Sequence, residues 1–492
     1  MRGRFVGLLI VGACVLHAAC TPVAGPSGPA PATARTAPES RAGHHLRALV
    51  DAINTGDSAA IARFTEEHYD DEYLLEYGAV ARAQQRWLEI HHLYGPLQLD
   101  TLALATDTEA DAWVRGSVTG AWLRFLISAD SLPPHRMTRV RMGRGLTPAH
   151  AGTRHPPLDD AGLARHLEAH LGRMAREGYF SGTVLVARHG RPLFQRAYGF
   201  ADRGGQSRNR LETRFDLASV GKLFTAVAIA QLAEAGKLSF GDTIARFLPE
   251  LPRSLSGRIT VAHLLEHSSG LGELGPSLDA AMARTRTVGE MLALLRDTAP
   301  EFAPGSRFQY SNRGYIVLGA IVERASGMDY FEYLRRHVFE PAGMRETGFF
   351  AEDDAVAGRA VRYTFYPTLR SPFVAGPRVE STARLDFRGG PAGGAYSTVG
   401  DLARFTAALE SGRLLRRETF ARMLERRPDH PYGYGFEADG PPVRSWGHAG
   451  AAPGATANLR VYPQAGYTVA VLSNYDVAAN QVGAYIRELI DR

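Results

Sequence analysis

Ser219 and Lys222 stand three residues apart in the run Phe215-Asp216-Leu217-Ala218-Ser219-Val220-Gly221-Lys222, which leads into an apolar stretch. On a helix that spacing puts both on one face, with the amine near the hydroxyl. An amine so placed activates an alcohol as a nucleophile, by lowering its pKa or by taking its proton. The chain carries 56 Lys plus Arg, of which two are lysines, Lys222 and Lys237, and 54 are arginines. Arginine keeps its proton in proteins, whereas a desolvated lysine can release one. Where a bare positive charge suffices this chain writes Arg, so a lysine three residues after a serine is a candidate for chemistry.

Two later stretches offer complementary groups. Tyr310-Ser311-Asn312 supplies a phenol that can accept and return a proton, and an amide that both donates and accepts. Trp446-Gly447-His448-Ala449-Gly450-Ala451 reads as a strand whose small residues let another backbone approach closely. Each is weak alone, since a tyrosine is commonly a buried phenol with one partner and a lone histidine is commonly structural. No G-x-S-x-G elbow and no His-Glu-x-x-His occurs, which argues against an α/β-hydrolase and a zinc hydrolase.

In this order the three stretches resemble the marks of the serine β-lactamase and penicillin-binding-protein superfamily, S-x-x-K, then S/Y-x-N, then K-T-G or H-x-G. The likeness is closest to the class C branch, with its D-aminopeptidase-like and carboxylesterase-like members, and covers about 158–490. Three further stretches share it: Leu264 to Leu271, Pro391 to Thr398, and Tyr432 to Phe436. These are read as loops that shape the cleft, with His267 and Ser269 as scaffold. The resemblance implies an antiparallel sheet flanked by helices, with a helical subdomain. It implies an acyl-enzyme at Ser219, with Lys222 and Tyr310 handling protons and the identity of the base left open. Asn312 would bind the acyl-side carbonyl, His448 and Gly450 would line the substrate, and the backbone amides of Ser219 and Ala451 would hold the oxyanion. No cofactor and no metal are implied.

The departure is in the third motif, where His448-Ala449-Gly450 replaces Lys-Thr-Gly. That removes a permanent cation and a hydroxyl that help grip a substrate carboxylate, and an ordinary histidine is charged only in part near neutral pH. The expected activity is hydrolysis of esters, or of amide or peptide bonds, without an obligatory carboxylate. The alternatives are a cell-wall D,D-carboxypeptidase or β-lactamase, and a catalytically retired protein that binds peptidoglycan or a partner.

The elements that must position these groups follow from periodicity. A helix over 161–176 carries Leu163, Leu167 and Leu171 on one face, and 182–189 with 192–200 form a hairpin. Phe224, Val227, Ala228, Ile229 and Leu232 give the helix after Lys222 a broad apolar face, and its N-terminus should favour an anion beside Ser219. The stretch 313–387 is expected to wall part of the pocket.

With 492 residues the chain exceeds one core, so two domains are expected. Residues 44–145 read as two or three helices, broken at Asn54-Thr55-Gly56-Asp57, followed by strands near 97–105, 112–118, 121–128 and 137–142. That α+β plan resembles the nuclear-transport-factor-2-like cone. The pairs His44-His45 and His91-His92 are read as solvated faces, because adjacent helical histidines diverge. A linker over 146–157 precedes the hydrolase-like domain, 158–492.

Basic Arg2 and Arg4, the apolar stretch 5–16, and Ala18-Ala19-Cys20 read as an export signal over 1–19. Cys20 resembles the acylated cysteine of bacterial lipoproteins, with His17 where an aliphatic residue is usual. Residues 20–43, rich in Pro, Ala, Gly, Ser and Thr, read as a disordered tether behind that cysteine. The expected location is the bacterial cell envelope or periplasm, lipid-anchored or else secreted. A net charge of +5, or +3 without Arg2 and Arg4, is too small to argue for nucleic acid. The expected partners are a small-molecule or peptide substrate and, through Cys20, a membrane; the oligomeric state is not legible.

Overall fold

The computed structural model describes residues 40–490, except 78–79, 145–147, 149–157, 274–280, 283, 296–298, 352–353, 355, 368–370, 382–387, 428–429, 431 and 441–443. The expected signal segment, Cys20, most of the tether and most of the linker lie outside these residues.

Four helices, Arg41–Thr55, Ser58–His68, Asp71–Tyr77 and Val80–Tyr94, precede a four-stranded antiparallel meander of Leu97–Ala105, Glu109–Gly116, Trp122–Ala129 and Met137–Arg144. The periodicity predicts two or three helices, because the short third one, Asp71–Tyr77, lacks a clear apolar repeat. Gly56 takes φ +61° to end the first helix, and the Asp57 carboxylate accepts from the Ala59 and Ala60 amides to start the second. Asn54 exchanges both amide bonds with the Leu97 backbone, at 2.9 and 2.6 Å, and so pins helix to sheet. The histidine pairs are not solvated faces as expected. His45 Nδ1 meets His68 Nδ1 at 2.8 Å, His91 bonds the Ile53 carbonyl at 2.9 Å, and His92 packs among aromatic rings; His44 is exposed. Backbone acceptors and neighbouring elements, invisible in local spacing, take up these rings.

The larger domain is built on a six-stranded antiparallel sheet in the order Glu437–Asp439, Ser445–Ala452, Ala455–Tyr462, Tyr467–Ser473, Gly182–Arg188, Arg191–Tyr198. The last strand of the chain, Tyr467–Ser473, thus closes beside this domain's own first hairpin, 182–198. Asp160–Arg176 and Ala478–Ile490 cover one face of this sheet, burying Leu163, Leu167, Val482 and Ile486 against Val184 and Val471. Lys222–Glu234 runs through the core on the other side, with every residue from Lys222 to Ala230 buried. It is apolar all round rather than on one face, which only an internal helix tolerates.

The domains share polar and apolar contacts. Glu488 on the last helix accepts from Arg115 at 3.1 Å and from the Trp122 indole at 2.9 Å, and Gln481 donates to the Leu93 carbonyl at 2.9 Å. Phe365, Phe373 and Val477 are buried in the same cluster as Leu46, Ile53 and Trp87 of the first domain. Part of the 313–387 stretch therefore does something other than wall the pocket.

Candidate active site

Ser219 sits in a single tight turn, Ala218–Gly221, and Lys222 is the first residue of the long helix. The expected helix N-terminus at Ser219 is thus one short 3₁₀ turn earlier than the α-helix proper. Ala218 adopts φ +45°, a conformation that costs a non-glycine residue about 1–3 kcal/mol. Its surroundings impose this: the Asp216 carboxylate accepts from the Ala218 amide at 2.8 Å, and the Gly394 amide donates to the Ala218 carbonyl at 3.1 Å.

The lysine is fully buried and its Nζ position is fixed by three polar neighbours. Lys222 Nζ lies 3.1 Å from Ser219 Oγ, 2.7 Å from Asn312 Oδ1 and 2.5 Å from the Ala392 carbonyl. It also lies over the Tyr310 ring, 4.9 Å from the centroid. Lys237, by contrast, is exposed.

Tyr310 reaches the serine from the opposite segment. Burial pushes the phenol well above its ordinary pKa of ten and dominates over the Ser219 side chain beside its hydroxyl, which draws the pKa down; Glu273, Tyr315 and Glu437 push the same way as burial. Its ring stacks on His267 at 4.2 Å, and His267 Nδ1 accepts from the Ser311 amide at 3.0 Å. His267 thus has the scaffold role its sequence context predicts: it orients the phenol. Asn312 opens the helix Asn312–Ser326, which the Ser311 hydroxyl caps through the Gly314 amide. Its carbonyl faces Lys222, and its amide donates to Glu273 at 3.0 Å.

The third motif lies on the strand Ser445–Ala452, pressed against the serine turn. A Cβ on Gly450 would sit 2.2 Å from the Leu217 carbonyl and 3.1 Å from the Ser219 nitrogen, so only glycine fits there. The neighbouring strand Glu437–Asp439 pairs only as far as Gly447. Beyond that point the Ala449 amide donates to Glu437 Oε1 at 3.3 Å. Alternate strand amides lie on one edge, so the Ala451 amide shares that edge, away from the pairing with Ala455–Tyr462.

His448 is 1% exposed, and burial lowers its pKa to about 4; Lys222 adds to the effect and Glu437 opposes it. Its Nδ1 meets the Ala449 carbonyl at 2.5 Å, which can only accept, so Nδ1 carries the proton. Nε2 then accepts from the Tyr432 hydroxyl at 2.6 Å. The imidazole is satisfied as a neutral ring. Burial works against a charge on Glu437, yet the Arg460 guanidinium at 2.5 Å holds that carboxyl below the ordinary range.

The structure therefore brings Ser219, Lys222, Tyr310, Asn312, His448, Gly450 and Ala451 to one place. Sequence reasoning missed the Ala392 carbonyl, Asp216 and the Tyr432–His448 bond. The first and third lie in stretches that had been singled out as loops, and Asp216 stands two residues before the Ala218 amide it caps, a common Asx-turn spacing.

The Beta-lactamase family model matches residues 164–491. Esterase EstB of Burkholderia gladioli is 35% identical over 319 residues, 59% of this chain and 79% of its own. Penicillin-binding protein 4* of Bacillus subtilis is 29% identical over 327 residues, 63% of this chain and 71% of its own. Among solved structures, the penicillin binding protein from Bacillus halodurans superposes with a TM-score of 0.58 at 34% identity, over 65% of this chain and 99% of that one.

Proposed function

The chain belongs to the beta-lactamase family and is a serine hydrolase, and we propose that it forms an acyl-enzyme at Ser219 on esters or amides that need no free carboxylate. The observation that carries this reading is the buried Lys222 amine, 3.1 Å from Ser219 Oγ, beside a third motif whose histidine is neutral. Ser219 Oγ attacks the acyl carbon, and its proton has two acceptors at hand, Lys222 Nζ and the Tyr310 hydroxyl. The raised pKa of Tyr310 favours a neutral relay that hands a proton to the leaving group over a resting phenolate. The Ser219 and Ala451 amides receive the oxyanion, a contribution of about 3–4 kcal/mol per donor. Asn312 orients the acyl-side carbonyl, its own carbonyl being held by Lys222. Water then releases the acyl group.

A carboxylate-bearing substrate would meet no cation in the third motif at neutral pH. Esters and amides with uncharged ends fit that environment better than penicillins do, and the likeness to an esterase is compatible with it. The test is fluorophosphonate labelling of wild type with Ser219→Ala and Lys222→Ala controls, followed by turnover of a 4-nitrophenyl ester and of a penicillin. Labelling lost in the Ser219→Ala control, with ester turnover well above penicillin turnover, is the expected result. An unlabelled Ser219 in folded protein, or rapid penicillin hydrolysis without ester turnover, overturns the reading.

We also infer export and lipid anchoring at Cys20, supported by the basic, apolar and small-residue order of 1–20. Cys20→Ser should move the protein from the membrane to the soluble fraction; an unchanged distribution would refute it.

A further inference from the structure

A hairpin of the larger domain is built into the core of the smaller one. Its strands, Tyr363–Thr364 and Val379–Glu380, pair antiparallel, and beyond them Phe365 and Phe373 are 4% and 7% exposed. Both rings pack on His92 of the first domain, at 5.3 and 5.5 Å, and Gln85 donates to the Phe373 carbonyl at 3.0 Å. Burial and the neighbouring Glu89 carboxylate of the first domain both push the pKa of the Tyr366 phenol up.

The base of the same hairpin touches both halves of the catalytic apparatus. Arg362 Nη1 lies 3.7 Å from the Asp216 carboxylate, each side chain 3% exposed, and Asp216 is the group that holds the Ala218 amide before Ser219. On the other side the buried Asp476 carboxylate accepts from Thr364 Oγ1 at 2.8 Å, from the Phe365 amide at 2.9 Å and from the Gly454 amide at 2.8 Å. Gly454 lies in the turn that follows Ala451, and a Cβ on it would meet the Tyr363 nitrogen at 2.7 Å. Ala218, Ala452 and Ala455 form a small apolar cluster between the two turns.

We propose that the first domain acts as a positioning element for catalysis: it anchors this hairpin, and Arg362 and Asp476 at the hairpin's base fix the serine turn and the oxyanion strand relative to each other. Neither residue touches substrate; both are positioning residues. The inference rests on the hydrolase reading above. A misplacement of about 1 Å between nucleophile and oxyanion donors costs on the order of 100-fold in rate, so loosening the anchor should appear in kcat.

The experiment uses the full chain, with 4-nitrophenyl ester turnover expressed per fluorophosphonate-titrated site. The Phe365→Ala/Phe373→Ala pair should lose about 10-fold or more in kcat, with KM within about twofold. The Phe365→Leu/Phe373→Leu pair, which keeps most of the volume, should recover most of that loss. Arg115→Gln breaks the separate contact to Glu488 and should lower the melting temperature while kcat per site stays unchanged. Should the alanine pair not fold, Arg362→Gln and Asp476→Asn carry the test, with the same fall in kcat at constant KM. Wild-type kcat in the hairpin variants, or an equal loss in Arg115→Gln, overturns the coupling. Absence of labelling at Ser219 in wild type would instead overturn the hydrolase reading.

Discussion

Acidifying the protein from pH 7 to pH 5 should cost it about 2 kcal/mol of stability through His448 alone. The ring's pKa falls from 6.5 in the unfolded chain to about 4 in the fold, because burial removes the water that would solvate an imidazolium. A group with a depressed folded pKa stabilises the fold fully above its unfolded value and loses that contribution as the pH falls. The whole span is worth about 3 kcal/mol at 1.36 kcal/mol per unit, and the window from pH 7 to pH 5 covers a little over half of it. Urea unfolding of wild type and of His448→Gln at the two pH values isolates the term. Glutamine can still accept from the Tyr432 hydroxyl but does not titrate. His68, lowered to about 4 by burial in the first domain, titrates alike in both proteins and cancels. The wild type should lose about 2 kcal/mol more than the variant over this interval. Equal losses would mean that His448 titrates near its ordinary value and carries partial charge at neutral pH. The reasoning that the third motif offers a carboxylate no cation would then fail.

Lys222→Arg keeps the charge but cannot give up a proton, so ester kcat should fall by about 100-fold or more, as measured by steady-state turnover. Tyr310→Phe removes the relay at Ser219 and should cost on the order of 100- to 10,000-fold in kcat with labelling slowed to match. Gly450→Ala places a methyl 2.2 Å from the Leu217 carbonyl, so the strand must retreat from the serine turn and kcat should drop about 100-fold while the protein remains folded by circular dichroism.

Much of this was legible in the chain. Alternation and turn residues located the 97–105 and 182–188 strands within a residue or two, because a strand's side-chain period is a local property. The Ser219–Lys222 pair was legible for the same reason: three residues fix their own geometry. The departure at His448 was readable as a residue type. Its charge state was not, since a pKa depends on burial, and burial is decided by Tyr432, Glu437 and the strand around it.

The sequence by itself determined which chemical groups are present, their order, and the local turns that carry them. Only the tertiary structure decided which of them meet. Lys222 finds Asn312 and Ala392 across 90 and 170 residues of chain, and Gln85 finds Phe373 across 288. Contacts of that range depend on how whole elements pack, and no local period records them. The hairpin at 363–380 shows the consequence: a stretch expected to wall the pocket is apolar at Phe365 and Phe373 because it completes the core of another domain.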